Sequence, residues 1–317
     1  ANLFYLVNMK SRNKLQYNSY LNNFELLAKS IVEGYISGIH KSPFHGFSSE
    51  FAEHKIYNNG DSTKHIDWKL FAKTDKLYTK RYQEETNLRC HIIVDQSLSM
   101  HYPISNSSSN IELNKIEFSS LASAVLLHVL KKQRDAVGLS LYDEKCNFYC
   151  TEKGGELHIR MLLDQLEKSS SVKPKKVTTK TYEVLHQIAQ KLHRRSLILL
   201  FTDLFQYDVN SLDLFDALRH LKHNKHELIL FHVYDKKTEL DFNFKNRPRR
   251  FLDIESDSHV DIFPQNFQKE YNIEVSKYFD FFKSKCLQYK IDYVDVDIRQ
   301  GFDKILSNFF EKRHNFL

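Results

Sequence analysis

Short apolar runs punctuate the chain at Cys90–Val94, Ala136–Tyr142, Leu197–Phe201 and Leu228–Tyr234. Each is nearly continuous in apolar residues and bounded by polar or turn residues, the pattern of strands covered on both faces of a parallel sheet. Between them the spacing turns helical. Lys115–Lys132 places Leu121, Val125 and Val129 on one face, and Asn114 with Glu117 has the spacing of a capping box. Leu157–Leu166, Tyr182–Leu192, Leu212–Leu221, about Glu270–Tyr289 and about Phe302–Arg313 read as further helices. Lys145–Lys153 reads as an edge strand beside Ala136–Tyr142. Ile291–Ile298, which alternates apolar residues with Asp, suits a sheet edge. Strands alternating with helices predict an α/β fold, a doubly wound, mostly parallel sheet with helices on both faces.

The pattern divides the chain into three parts. Residues 1–40 are a leader and a helix. The leader, residues 1–8, precedes Met9, and Phe24, Leu27, Ile31, Tyr35 and Ile39 form a helical stripe. Residues 41–88 read as a small β module of short strands at Phe51–Tyr57, Ile66–Leu70 and Leu77–Tyr82, with Asn59-Gly60 as a hairpin signal. Residues 89–317 are the α/β domain. The segment at about 242–264 interrupts its alternation and reads as an inserted β-hairpin.

Composition narrows the classes. A chain of 317 residues that is 41% hydrophobic can bury a sizeable core. No apolar run approaches the roughly 18 residues that span a bilayer, and no signal peptide opens the chain. Cys90, Cys146, Cys150 and Cys286 are scattered, which fits reduced thiols in the cytoplasm. Cys146 and Cys150 lack the accompanying pair that zinc needs. The net charge of +6 is spread over loops and helix ends, and no nucleic-acid-binding motif accompanies it.

The chemistry concentrates where the first apolar run ends, in Asp95-Gln96-Ser97-Leu98-Ser99-Met100. A buried strand that ends in an acid and two hydroxyls puts oxygen donors at the carboxyl edge of a sheet, where open α/β sheets bind ligands. In a loop leaving the strand, Ser97 and Ser99 can both turn toward the Asp95 carboxylate. One carboxylate and two neutral oxygens suit a hard cation such as Mg²⁺. The competing reading is a turn of small polar residues.

Asp-x-Ser-x-Ser after an apolar strand resembles the metal-ion-dependent adhesion site of von Willebrand factor A domains. The resemblance implies two further ligands, a Thr from a later loop and an Asp ending a later central strand. Thr179 matches the first, with Thr178 as the neighbouring alternative, and Asp203 matches the second. The ion would be Mg²⁺, with Mn²⁺ or Ca²⁺ as alternatives.

Gly60, Asp61, Ile66, Asp67 and Trp68 resemble the Gly-Asp-x-x-Arg-x-Ile-Asp-Trp core of the bacterial family catalogued as domain of unknown function 58. That core precedes a von Willebrand A-like sheet. Lys64 stands in place of the usual Arg, and Lys73 where Ala-Arg is usual, so the bidentate fork of a guanidinium is lost at both. Asp203 is followed by Leu204 and Phe205, not by the Gly common in the wider group. The motif is expected to be structural, with Gly60 and Asp61 serving a turn and Trp68 filling core.

The resemblance implies a non-enzymatic, metal-dependent protein-binding module. It would act as an adaptor or co-chaperone for a MoxR-type AAA+ ATPase, or for another protein that supplies Asp or Glu to the ion. The rival is a Mg²⁺-dependent phosphoryl-transfer enzyme with Asp95 as nucleophile. Such enzymes usually carry a second acid two residues on, and here that position is Ser97. No Gly-rich phosphate loop appears either.

Overall fold

The computed structural model describes residues 24–39, 53–56, 68–81, 88–103, 113–170, 181–204, 211–245, 247–252 and 259–316. Gly60, Asp61, Ile66, Asp67, Thr178 and Thr179 lie outside them, as do residues 1–8 and the Asn59-Gly60 turn. The chain separates into two units, Ser37–Asn87 and the remainder, which joins Ala1–Ile36 to Leu88–Leu317.

In chain order the elements are α1 (Phe24–Ile39), β1 (Glu53–Ile56), α2 (Trp68–Thr74), β2 (Tyr78–Arg81), β3 (Arg89–Asp95), α3 (Lys115–Lys132), β4 (Ala136–Tyr142) and β5 (Cys146–Lys153). There follow α4 (Glu156–Ser170), α5 (Thr181–Lys191), β6 (Leu197–Thr202), α6 (Ser211–Lys222), β7 (Glu227–Tyr234), β8 (Arg249–Leu252), β9 (His259–Ile262), α7 (Pro264–Gln288), β10 (Asp292–Asp297) and α8 (Asp303–Phe316).

In the small unit β1 pairs antiparallel with β2, from Glu53 opposite Arg81 to Ile56 opposite Tyr78. Of the strand expected at Ile66–Leu70, the described residues 68–70 are instead the first of α2. Trp68 and Phe71 are three apart, on one helical face, and their rings meet edge-on at 6.2 Å. The Thr74 hydroxyl bonds back to the Leu70 carbonyl at 2.8 Å. A five-residue apolar–polar run is too short for period to separate strand from helix. Trp68 is 63% exposed, so the expectation that it fills core is corrected.

The large unit is built on one sheet of order β10-β7-β6-β3-β4-β5. β3 pairs in parallel with β4 and β6, β6 with β7, and β7 with β10; β5 alone runs antiparallel, beside β4. The architecture is the mixed α/β, mostly parallel and Rossmann-like arrangement that the alternating pattern predicts. Along β3 the side chains alternate between two cores. Cys90, Ile92 and Val94 join α1, α3, α4 and α8 through Phe24, Leu126, Leu162 and Phe309. Ile93 faces the other way, with Leu185 of α5, Leu218 of α6 and Phe282 of α7. Burial on both faces is why these strands are apolar throughout. The N-terminal helix thus packs within the large unit, through Phe24, Leu27, Ala28 and Val32.

One boundary differs from the pattern. α7 begins at Pro264, six residues or so before its apolar periodicity, because Pro is preorganised for the first helical position and its missing N–H costs nothing there. The inserted segment holds the antiparallel pair β8–β9. At the β10 edge, Asp295 and Asp292 are bridged by Lys304 and Lys312 of α8 at 2.9 and 2.8 Å.

Candidate functional site

Parallel pairing of β3 with β6 sets Val94 opposite Phe201, so the two strands end side by side at the carboxyl edge. Asp95 and Thr202 terminate them. Asp95 is 2% exposed and fully engaged. Its Oδ1 accepts the Ser97 N–H at 2.8 Å. Its Oδ2 accepts the Thr202 hydroxyl at 2.8 Å and the Tyr142 hydroxyl, from the end of β4, at 3.1 Å. Burial, and then the neighbouring Asp203 carboxylate, push the Asp95 carboxyl up to about 6 against the lowering pull of its Ser97 and Thr202 bonds.

After Asp95 the chain makes a one-turn 3₁₀ helix, Leu98–His101, anchored by the buried Leu98 and Met100. Ser97 occupies its N-cap position, yet its side chain makes no capping bond. The Ser97 hydroxyl instead meets the Ser99 hydroxyl at 3.1 Å. The loop therefore turns both hydroxyls to one point on the sheet edge.

Asp203 is also buried, and its partner is Lys115, whose Nζ lies 2.8 Å from Asp203 Oδ2 and 2.6 Å from Glu239 Oε1. Lys115 is 1% exposed. Desolvation alone would lower its ammonium, and the two carboxylates more than offset this and hold it raised. The predicted capping box positions this lysine: the Asn114 side chain accepts the Glu117 N–H at 2.8 Å and Glu117 returns the bond to the Asn114 N–H at 3.0 Å. A lysine in the first turn opposes the helix dipole. That mismatch was the available sequence signal for a buried acidic partner. Glu239 sits on a five-residue π-type turn, Lys236–Leu240, immediately beyond β7.

Leu204 takes the backbone into the left-handed region, φ 57°. A leucine at a positive φ is strained. The turn is held by the Leu204 N–H to the Thr202 hydroxyl at 3.3 Å and by the Tyr278 hydroxyl to the Leu204 carbonyl at 2.7 Å. His232 of β7 is fully buried near Asp203 and Lys115, and burial pushes its imidazole down to about 3, so it is neutral.

Asp95, Ser97, Ser99 and Asp203 are thus brought to one edge, with Tyr142, Thr202, Lys115 and Glu239 as neighbours that pattern reading did not find. Thr179 lies outside the described residues. Among those residues no group of three or more His, Cys, Asp or Glu is arranged to hold a metal.

A second polar cluster lies inside the sheet. His91 Nδ1 is 2.6 Å from Glu152 Oε1 and its Nε2 is 2.7 Å from the Ser140 hydroxyl. All three side chains are buried. Burial would raise the Glu152 carboxyl, but the hydrogen bond and charge of His91 hold it below the usual value. A Ser–His–Glu order is that of a hydrolase triad, but a nucleophile must reach its substrate, and this serine is sealed between strands and helices. The cluster is an interior polar network in which Glu152 Oε2 makes no hydrogen bond and has His193 Nε2 3.9 Å away.

The geometry defines a Rossmann-like α/β protein with an acid-and-hydroxyl loop at the carboxyl edge of its sheet. The chain belongs to the family described as Protein of unknown function DUF58, whose family model matches residues 53–276. It is similar to the uncharacterized proteins Mb1516 of Mycobacterium bovis and Rv1480 of Mycobacterium tuberculosis, at 28% identity over 82 residues, 26% of this chain and 26% of each relative. Among solved structures it is similar to BatB of Bacteroides thetaiotaomicron, with 13% identity, TM-score 0.41, and 72% of this chain and 99% of that one covered. The PilB minor pilin of Streptococcus sanguinis aligns with 9% identity, TM-score 0.43, and 76% and 64% covered.

Proposed function

We propose that this chain is a non-enzymatic, von Willebrand A-like binding module. On this reading it takes a divalent cation, Mg²⁺ foremost, at Asp95, Ser97 and Ser99, beside Asp203 and with Thr179 as a further ligand. The observation that carries the reading is the pair of hydroxyls 3.1 Å apart and not spent on capping, next to a buried carboxylate. Adjacent ligands of an octahedral Mg²⁺ with bonds of about 2.0–2.1 Å stand roughly 3 Å apart, so the spacing suits two ligands of one ion.

Lys115 supports the binding role. It neutralises Asp203, so the loop would offer the ion little charge beyond Asp95. An ion so weakly compensated keeps its appetite for a carboxylate, and a partner's Asp or Glu would complete its shell. The partner proposed from the family resemblance is a MoxR-type AAA+ ATPase, with the chain acting as adaptor or co-chaperone in the cytoplasm. The free thiols of all four cysteines fit that compartment. No described helix is long and apolar enough to cross a membrane. The phosphoryl-transfer alternative is not favoured, because the second acid such enzymes carry two residues after the nucleophile is replaced here by Ser97, which cannot serve as an acid–base group.

The test is a pull-down of the ATPase by the full chain with Mg²⁺ and with EDTA, repeated on Ser97→Ala/Ser99→Ala. Binding that needs Mg²⁺ and disappears in the double variant, with unchanged circular dichroism, is the expected result. Equal binding in EDTA or in the variant would place the interface elsewhere.

A further inference from the structure

Beyond the ends of β7 and β10 the same sheet edge carries a cavity of about 380 Å³. It lies between the π-type turn that bears Glu239 and the start of β8. Four of its lining side chains are cationic: Lys237, Lys245, Arg249 and Arg299. We propose that this cavity binds a small phosphorylated anion carrying several negative charges, of the di- or triphosphate class.

The charge balance comes first. Arg299 is held as a fixed fork by Asp235, through Nε at 2.6 Å and Nη2 at 2.9 Å. Asp235 also accepts from the Thr238 hydroxyl at 2.9 Å and the Lys237 N–H at 3.2 Å, so this wall is preorganised. That leaves Lys237, Lys245 and Arg249, which make no ion pair with a carboxylate among the described residues. Lys237 and Lys245 are exposed and Arg249 is half-buried, so three cations face one space and together favour an anion there.

Arg249 gives the sharper evidence. The neighbouring Arg250, on the opposite face of β8, is fully occupied by Asp261, at 2.9 and 3.0 Å. Arg249 instead lies over the Phe244 ring, 5.2 Å from its centroid, and its Nε is buried with no acceptor among the described residues. Buried donors almost always find acceptors. A ligand oxygen in the cavity supplies the missing one. The planar guanidinium, two flexible ammonium groups and the Asn243 amide match the oxygens of linked phosphates.

Size decides between ligand classes. The cavity falls at the lower end of the roughly 300–1,000 Å³ typical of small-molecule sites. It exceeds the need of one phosphate and is small for an extended acidic peptide. The proposal is independent of the cation site, so its test is run in EDTA.

The experiment is isothermal titration of the full chain with sodium tripolyphosphate, in EDTA at fixed salt. Saturable one-to-one binding is expected. Arg249→Gln combined with Lys237→Gln should weaken it about ten- to a hundredfold, the loss of charge-assisted bonds. Lys245→Gln, an exposed loop change that leaves β8 intact, should weaken it about three- to tenfold and covers the case in which the double variant fails to fold. Lys277→Gln, on the exposed face of α7, should bind as wild type does. No saturable heat with wild type, or undiminished binding in Lys245→Gln and the double variant, would overturn the proposal. So would a hexaglutamate peptide that binds as tightly as tripolyphosphate, which would make the cavity a peptide site.

Discussion

Replacing Lys115 by Met keeps the length and removes the charge. In the wild type the ammonium is 1% exposed and satisfies Asp203 and Glu239 at 2.8 and 2.6 Å. The variant leaves two carboxylates facing each other in a dry site. Removing one partner of a buried pair costs about 3–5 kcal/mol. For a unit of this size, each kcal/mol is worth about 2–4 °C of melting temperature, so a fall of about 6–20 °C is expected in EDTA. Adding Glu239→Gln removes one of the stranded charges and should restore part of the loss. The same variant probes the cation reading. Without Lys115 the edge gains a negative charge, so Mg²⁺ should raise the melting temperature of Lys115→Met by more than it raises that of wild type. The assay is a thermal melt of wild type, Lys115→Met and Lys115→Met/Glu239→Gln, each with EDTA and with Mg²⁺. A single variant that melts within about 2 °C of wild type in EDTA would refute the buried ion pair. An equal Mg²⁺ response in both proteins would refute the link between Asp203 and a bound cation.

Gly138→Ala should be severe. Its Cβ would stand 2.4 Å from His91 Nδ1 and 2.8 Å from the Cys150 carbonyl, so either His91 leaves Glu152 or β5 moves; a loss of about 3 kcal/mol is expected in urea unfolding, and an unchanged midpoint would contradict the packing. Asp95→Asn should change the pH dependence of stability in EDTA. With the folded carboxyl near 6 and the unfolded one near 3.9, wild type gains stability as pH falls through that window and bears the full cost of the buried charge above it. The variant has no such cost, so relative to wild type it should be about 2 kcal/mol better at pH 7.5 than at pH 4; parallel profiles would show that Asp95 is not shifted.

What was legible in the chain was whatever is written in neighbouring residues. Strands β3, β4, β6 and β7 were visible because burial on both faces demands apolar residues throughout, and the Asn114–Glu117 box because a cap is a four-residue event. α7 starts early because one proline outweighs several turns of weak periodicity, and α2 was misread because its apolar spacing fits two periods. Lys115, Asp203 and Glu239 were beyond pattern reading for a different reason. They are 88 and 124 residues apart along the chain, and only the sheet order brings them together. Asp95 and the two serines were found because they share one loop. Of the other hydroxyls on Asp95, Tyr142 was hidden as the last residue of an apolar run and Thr202 as the residue directly after one.

The acidic last strand has a bearing on how this protein meets copies of itself. An outer strand offers unpaired backbone groups to any extended chain, and natural sheets blunt that edge with charge. On β10, Asp292 and Asp295 lie in a lattice of lysines from the helix that covers it, so an incoming strand would have to break Lys304 and Lys312 away before its own backbone could bond. The far edge, β5, is largely half-buried, and among the described residues no matching pair of lysine–carboxylate bridges lies along it. If a peptide extends this sheet by one strand, it does so there, antiparallel or parallel to Cys146–Lys153, at the end of the molecule opposite the basic cavity.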